Sequence, residues 1–175
     1  MARIDYNDYI RVIEGWPSPE ISFKDITPLL ADAQAFKQAI DDMCLPFRGM
    51  GVTKVFGAEA RGFFFGTAMA YTLGAGFVPA RKKGKLPYKT IGEEYVLEYG
   101  TAVIEVHEDD VDSGDKILIV DDVLATGGTA AAKANLVERL GAELLGFSFF
   151  IELDFLHGRD KIKHLGVPIN SIIHG

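Results

Sequence analysis

Two consecutive carboxylates, Asp121 and Asp122, follow the apolar run "KILIV" and are followed in turn by "ATGGT", residues 125–129. Adjacent carboxylates at the end of a buried strand repel one another and lose hydration, so they need donors or a cation. Sugar hydroxyls, a bound Mg²⁺ or backbone amides would each serve. In the loop, Gly127 and Gly128 allow backbone angles closed to other residues, and Thr126 and Thr129 add hydroxyl donors. A helix beginning near Ala130 would point its free N–H groups into that loop, which favours a phosphate. A purely structural alternative has one Asp capping a loop and the other solvated. Carboxylates placed immediately before a phosphate cradle suit one compact ligand with vicinal hydroxyls and a monophosphate, and a ribose 5-phosphate fits. The chain has no G-x-x-x-x-G-K-[ST], and this loop is not G-x-G-x-x-G, so a P-loop triphosphatase and a dinucleotide fold are unsupported.

Other chemistry-bearing residues are more scattered. Arg81, Lys82, Lys83 and Lys85 form a basic cluster that could be a solvated face, a polyanion patch or a pyrophosphate contact. Arg61, in "EARGF", could bind an anion or anchor a helix start. His107, His157, His164 and His174 show no metal-ligand spacing, and no metal-binding residue is assigned. The lone Cys44 reads as a core or groove residue. Net charge is formally −7, which argues against a broad nucleic-acid-binding surface. Nothing approaches the roughly 18 apolar residues of a membrane span. Asp5, Asp8 and Glu14 interrupt the apolar core that a signal peptide would need, so a cytoplasmic location and no membrane partner are expected.

The elements that must position these residues alternate between strand and helix, which predicts a Rossmann-like α/β fold with an open, mainly parallel sheet flanked by helices. Residues 3–14 are expected to form a short helix. Asp32 should cap a helix with Ala35, Phe36, Ala39, Ile40 and Met43 on one stripe. Residues 52–57 read as a buried strand and Gly62 opens a helix running to Gly74. "FVPA" is a further strand candidate. Residues 81–107 read as a flap or hairpin excursion, because Gly84, Pro87 and Gly92 break the chain and "EYVLEYGTAVIEVH" partly alternates. "KILIV" suits a central parallel strand. The helix after the acidic loop should run to Leu140, carry Ala132, Leu136 and Leu140 on one face and end at Gly141, and "ELLGFSFFIEL" supplies the next strand.

"ILIVDDVLATGGT" resembles the phosphoribosyl diphosphate (PRPP) motif of the type I phosphoribosyltransferase family. With "PSPEISFKDITPLL", "GAEARGFFFG", "RKKGKLPYKT" and "LEYG", the wider pattern is similar to the adenine-using members and covers most of the chain. The resemblance implies one phosphoribosyltransferase domain over 1–175, residues 1–32 contributing a hood that binds the base and 81–107 a flexible flap. It implies transfer of the 5-phosphoribosyl group from PRPP to adenine, giving AMP and pyrophosphate in purine salvage, with Mg²⁺ bound mainly through PRPP and pyrophosphate. Asp121 and Asp122 would face the ribose hydroxyls, Ala125, Thr126, Gly127, Gly128 and Thr129 would hold the 5-phosphate, and Arg61 would bind pyrophosphate. Arg81 and Lys85 would approach the pyrophosphate across the interface of a homodimer. Glu98 and Tyr99 would belong to a loop closing over the substrates, with Glu98 either an acid/base for the purine or a group that orders the loop. The base would lie near Phe23, read by backbone groups around Ser22 and Lys24. Tyr88 stands where relatives often have glycine, and Lys24 where many have arginine. A 6-oxopurine such as xanthine as the accepted base, or a PRPP-binding regulator without turnover, are the alternatives.

Overall fold

The computed structural model describes residues 3–97 and 100–175. A 3-10 turn at Tyr6–Tyr9, capped by Asp5, leads into β1 (Arg11–Glu14), which pairs antiparallel with β2 (Ser22–Asp25), Ile13 opposite Phe23. The helix expected over 3–14 is thus one short turn. The remainder becomes a strand because β2, several residues away, supplies the ladder that the local pattern does not announce.

After α1 (Thr27–Ala31), Asp32 accepts hydrogen bonds from the amides of Gln34 and Ala35 and starts α2 (Ala33–Cys44). Its expected stripe is confirmed, with Ala35, Ala39, Ile40 and Met43 buried. Burial likewise pushes the Cys44 thiol up to about 11, so it packs as an inert core group. Next come β3 (Lys54–Ala58), α3 (Gly62–Leu73) and β4 (Gly76–Lys82). Gly74 ends α3 in the left-handed conformation at φ 69°, a place where a side chain would be strained.

β5 (Thr90–Val96) and β6 (Thr101–His107) form the hairpin expected in the 81–107 excursion. This hairpin extends the main sheet, because β6 pairs antiparallel with β4 and buries Ile104 and Val106. Arg139 and Asn135 also pin Glu93 of β5 to the helix beneath it, at 2.8 and 3.0 Å. The chain continues through β7 (Lys116–Leu124), α4 (Gly128–Arg139), β8 (Glu143–Glu152), three 3-10 turns and β9 (Ile169–His174).

The sheet runs β5-β6-β4-β3-β7-β8-β9, with β4, β3, β7, β8 and β9 parallel. Alternate residues of β7 feed two cores. Leu118 and Val120 pack with Met43, Phe65, Met69 and Phe150 under α2 and α3, while Ile117 and Ile119 pack with Ala130, Leu136 and Phe147 under α4. Burial on both faces explains why "ILIV" is continuously apolar.

Two details position the site. The chain leaves β3 toward β4 on one side and leaves β7 toward β8 on the other, so the crevice between β3 and β7 is a topological switch point, where open α/β sheets bind ligands. The strand also runs further than "KILIV". β3 stops pairing at Val120, whereas β8 continues opposite Asp121, Val123 and Leu124. The acidic pair therefore sits inside β7, at the point where its neighbour on one side has ended.

Candidate active site

The crevice holds a cavity of about 290 Å³. It is lined by Arg61 from the loop after β3, by Asp121 and Asp122 of β7, by residues 125–130 and by Ser22, Phe23 and Lys24 of β2, with Ile21, Val123, Leu124, Phe149 and Leu153 completing the walls. The structure thus brings together the acidic pair, the "ATGGT" loop, Arg61 and the three β2 residues.

The two carboxylates face different surroundings. Asp121 is satisfied within the protein: one oxygen accepts the Asp122 amide at 3.0 Å and the other accepts Lys133 Nζ at 2.9 Å. Gly62 is required beside it, because a Cβ there would come within 2.6 Å of Asp121 Oδ1. Asp122 is buried, with Arg61 Nε 2.8 Å from its Oδ2. That contact is close enough for ion pairing but is not aligned as a hydrogen bond, so Asp122 Oδ2 and Arg61 Nη1 both lack a hydrogen-bond partner among the described residues. Burial, reinforced by the charge on Asp121 and only partly opposed by Arg61, pushes the Asp122 carboxyl up to about 7. A buried acceptor in this state gains from any donor that a ligand brings.

Arg61 occupies the N-cap position of α3 but makes no side-chain capping hydrogen bond. Its guanidinium lies 4.7 Å over the Phe23 ring, and Trp16 packs edge-on against that ring at 4.5 Å. One cation therefore touches both the aromatic wall and the acidic pair.

The phosphate side is equally open. α4 begins after Gly127, with no side chain among the described residues capping its first amides and no acidic residue in its first turn. That leaves N–H groups and the positive end of the helix dipole directed at the cavity. Gly127 has φ 78° and is pressed against the backbone of Gly158, leaving no room for a Cβ on either residue. The glycines therefore serve chain-to-chain packing as well as ligand access, and Gly158 is a partner that the local sequence does not reveal.

Arg81 and Lys85 do not line this cavity. Arg81 donates to Glu59 Oε2 at 2.9 Å and to the Lys85 carbonyl at 3.0 Å, while the Lys82 amide donates to Glu59 Oε1 at 2.8 Å. Burial would raise the Glu59 carboxyl, but the Lys82 amide and the Arg81 guanidinium outweigh it and hold it below the usual range. Glu59, two residues before Arg61, thus links the basic stretch to the loop that carries Arg61. Glu98 and Tyr99 lie outside the described residues.

Sequence reasoning also missed Lys133, which is fully buried. A signal existed, since Ala130, Lys133, Ala134 and Val137 fall on one helical stripe, and all four are buried. Glu152, Asp154 and His174 form a group of metal-ligating type, their ligand atoms within 4.8 Å of one another. Both oxygens of Glu152 are already engaged, by Arg159 and Ser171. No helix among the described residues is long and apolar enough to cross a membrane.

Comparison with known proteins agrees with this geometry. Residues 30–171 match the phosphoribosyl transferase domain family. The chain is 52% identical over 165 residues to an adenine phosphoribosyltransferase of Roseobacter denitrificans, covering 94% of each chain. The crystal structure of adenine phosphoribosyltransferase from Rhodothermus marinus superposes with a TM-score of 0.93 at 48% identity, over 97% of this chain and 96% of that one. The Saccharomyces cerevisiae adenine phosphoribosyltransferase, complexed with an imino-altritol bisphosphate and adenine, superposes with a TM-score of 0.88 at 38% identity, over 95% of each chain.

Proposed function

The chain belongs to the adenine phosphoribosyltransferase family, and from that premise we propose that the cavity at the end of β7 is where it transfers the 5-phosphoribosyl group of PRPP to adenine, releasing pyrophosphate and AMP. The observation that carries the site is the pairing of a buried, incompletely satisfied carboxylate with an uncapped helix start across one crevice. Ribose hydroxyls supply the donors that Asp122 lacks, with Asp121 beside it, and the 5-phosphate takes the amides and hydroxyls of residues 125–129. A sugar phosphate is the ligand that satisfies both at once.

Phe23 offers a flat wall for the purine. β2 is paired on one edge by β1, so the peptide groups around Ser22 and Lys24 can read the base at the other edge. Adenine presents a donor at its exocyclic amine beside a ring acceptor, which suits a carbonyl and an N–H of one strand. The side chain of Lys24 is not needed for that reading.

Displacement at the anomeric carbon develops positive charge on the sugar and negative charge on the departing pyrophosphate. Arg61 supplies a cation where the latter accumulates. The residues do not form an ion cage on their own, since both Asp121 oxygens are engaged internally and the buried Asp122 Oδ2 lies 2.8 Å from the Arg61 guanidinium. Mg²⁺ would therefore be held mainly through the pyrophosphate of PRPP rather than by these carboxylates, and there would supply positive charge to the leaving group. Arg81 and Lys85 would serve pyrophosphate in the neighbouring subunit of a homodimer. In this reading residues 1–32 would form the hood over the base and 81–107 the flap, whose hairpin is anchored to the sheet. Glu98 and Tyr99 would belong to the loop that closes the site, with Glu98 either the acid/base for the purine or a group that orders the loop. Closure keeps water from hydrolysing the activated sugar.

The test is pyrophosphate release from PRPP and Mg²⁺ with adenine, hypoxanthine, guanine, xanthine and uracil offered separately. Release with adenine is expected. Release only with a 6-oxopurine would overturn the base reading, and PRPP binding without release on any base would indicate a regulator.

A further inference from the structure

We propose that Lys133 is a positioning residue for PRPP: through Asp121 it ties the acidic pair that meets the ribose to the helix whose first turn holds the 5-phosphate, so that the two halves of the receptor keep one separation. The inference rests on the reading of the cavity as the PRPP site.

Lys133 is 0% exposed, on α4 among Ala130, Ala134 and Val137. Its ammonium reaches across to β7, donating to Asp121 Oδ2 at 2.9 Å and to the Val120 carbonyl at 3.3 Å. Packing alone does not call for such a group, because replacing a buried ion pair as a whole by apolar side chains of similar volume is often neutral for stability. The ammonium is where the two ligand-binding elements meet. Gly128, at the start of α4, lies five residues before Lys133, about 7.5 Å along the helix axis. Asp121 lies directly after the last β7 residue shared with β3. A hydrogen bond from Lys133 to Asp121 therefore fixes how far the phosphate cradle stands from the acidic pair. The restraint extends one residue further, since the other Asp121 oxygen accepts the Asp122 amide at 3.0 Å. Among the described residues, the Lys133 ammonium hydrogen-bonds to Asp121 of the cavity lining and to the Val120 carbonyl, so it acts through that carboxylate.

The test is a double-mutant cycle of Lys133→Met and Asp121→Asn in the full chain, with initial rates measured while PRPP and adenine are varied separately. Methionine keeps the length and apolar stem of lysine and removes the ammonium. Lys133→Met should raise the KM for PRPP on the order of tenfold, with the KM for adenine changed by less than about twofold on the same scale. In the Asp121→Asn background it should add less than about twofold, because the partner through which it acts is already altered. The double variant should also regain melting temperature lost by Lys133→Met, since the Asp121 carboxylate deprived of its ammonium is gone, while its KM for PRPP stays high. That combination separates positioning from stability. Equal changes in both KM values, no change in either, or effects that multiply across the cycle would overturn the proposal. Should Lys133→Met fail to fold, the double variant against Asp121→Asn alone carries the same comparison. A wild-type protein that releases no pyrophosphate from PRPP would instead overturn the functional reading, and this proposal with it.

Discussion

Two carboxylate clusters at the carboxyl ends of neighbouring strands have opposite characters. At the end of β8, Glu152 is buried yet complete: Arg159 donates from Nε at 2.8 Å and again from Nη2, and Ser171 donates at 2.6 Å. Burial alone would raise its pKa, but the hydrogen bonds from Arg159 and Ser171 outweigh it and hold the carboxyl below the usual range. Late in β7, Asp122 is buried to a similar degree but open, with one oxygen lacking a hydrogen bond, and burial drives its pKa upward. Burial and charge alone do not tell a structural cluster from a binding site. Unfilled hydrogen-bonding capacity in a cavity-lining group separates these two, because a closed cluster has nothing left to offer a ligand.

The largest expected effect falls on the open cluster. Asp122→Asn should lower kcat/KM for PRPP on the order of a hundredfold, the scale of losing hydrogen bonds to a charged group. Initial rates with PRPP varied measure it, and a change below threefold would erase the contrast between the clusters. Glu152→Gln should do the reverse. Its stability in urea should drop by about 2 kcal/mol, discounted because Arg159 is partly solvated, while turnover of the folded protein at saturating PRPP stays close to wild type.

The clusters should also bend the pH–stability curve in opposite directions. The Asp122 carboxyl is raised from 3.8 to about 7, so between those values the folded chain binds more protons than the unfolded chain and loses stability as pH rises. Glu152 is depressed, so its contribution is present at neutral pH and is lost on acidification. Thermal melts of the ligand-free protein should show Asp122→Asn gaining on wild type between pH 4 and pH 7, on the scale of the raised carboxyl. Glu152→Gln should lose part of the acid-side slope. The smallest effect is expected from Ser171→Ala, about 1 kcal/mol of stability for one hydrogen bond, with the KM for PRPP unmoved.

Much of this arrangement is written locally in the sequence. The Asp32 cap, the end of α3 at Gly74, the β7 core and the "ATGGT" turn into α4 each depend on neighbours within a few residues, and each appears where the pattern puts it. What the pattern hides is non-local. Arg11–Glu14 becomes a strand only because β2 returns beside it, and β9 forms after a run of 3-10 turns that carries no periodic signal. The acidic pair is legible as chemistry, but its asymmetry is not. That difference comes from Lys133, twelve positions beyond Asp121, and from Arg61, sixty-one positions before Asp122. Gly127 reads as a ligand glycine, whereas its packing against Gly158 needs the folded chain.

Proton release on ligand binding tests the central claim most directly. Titration calorimetry of ribose 5-phosphate at pH 7, in buffers of differing ionisation enthalpy, counts the protons exchanged. If ribose hydroxyls complete Asp122, they favour its ionised form, and binding should release a fraction of a proton that Asp122→Asn does not release. Identical proton exchange in the wild type and Asp122→Asn would contradict the assignment of that open carboxylate to the sugar.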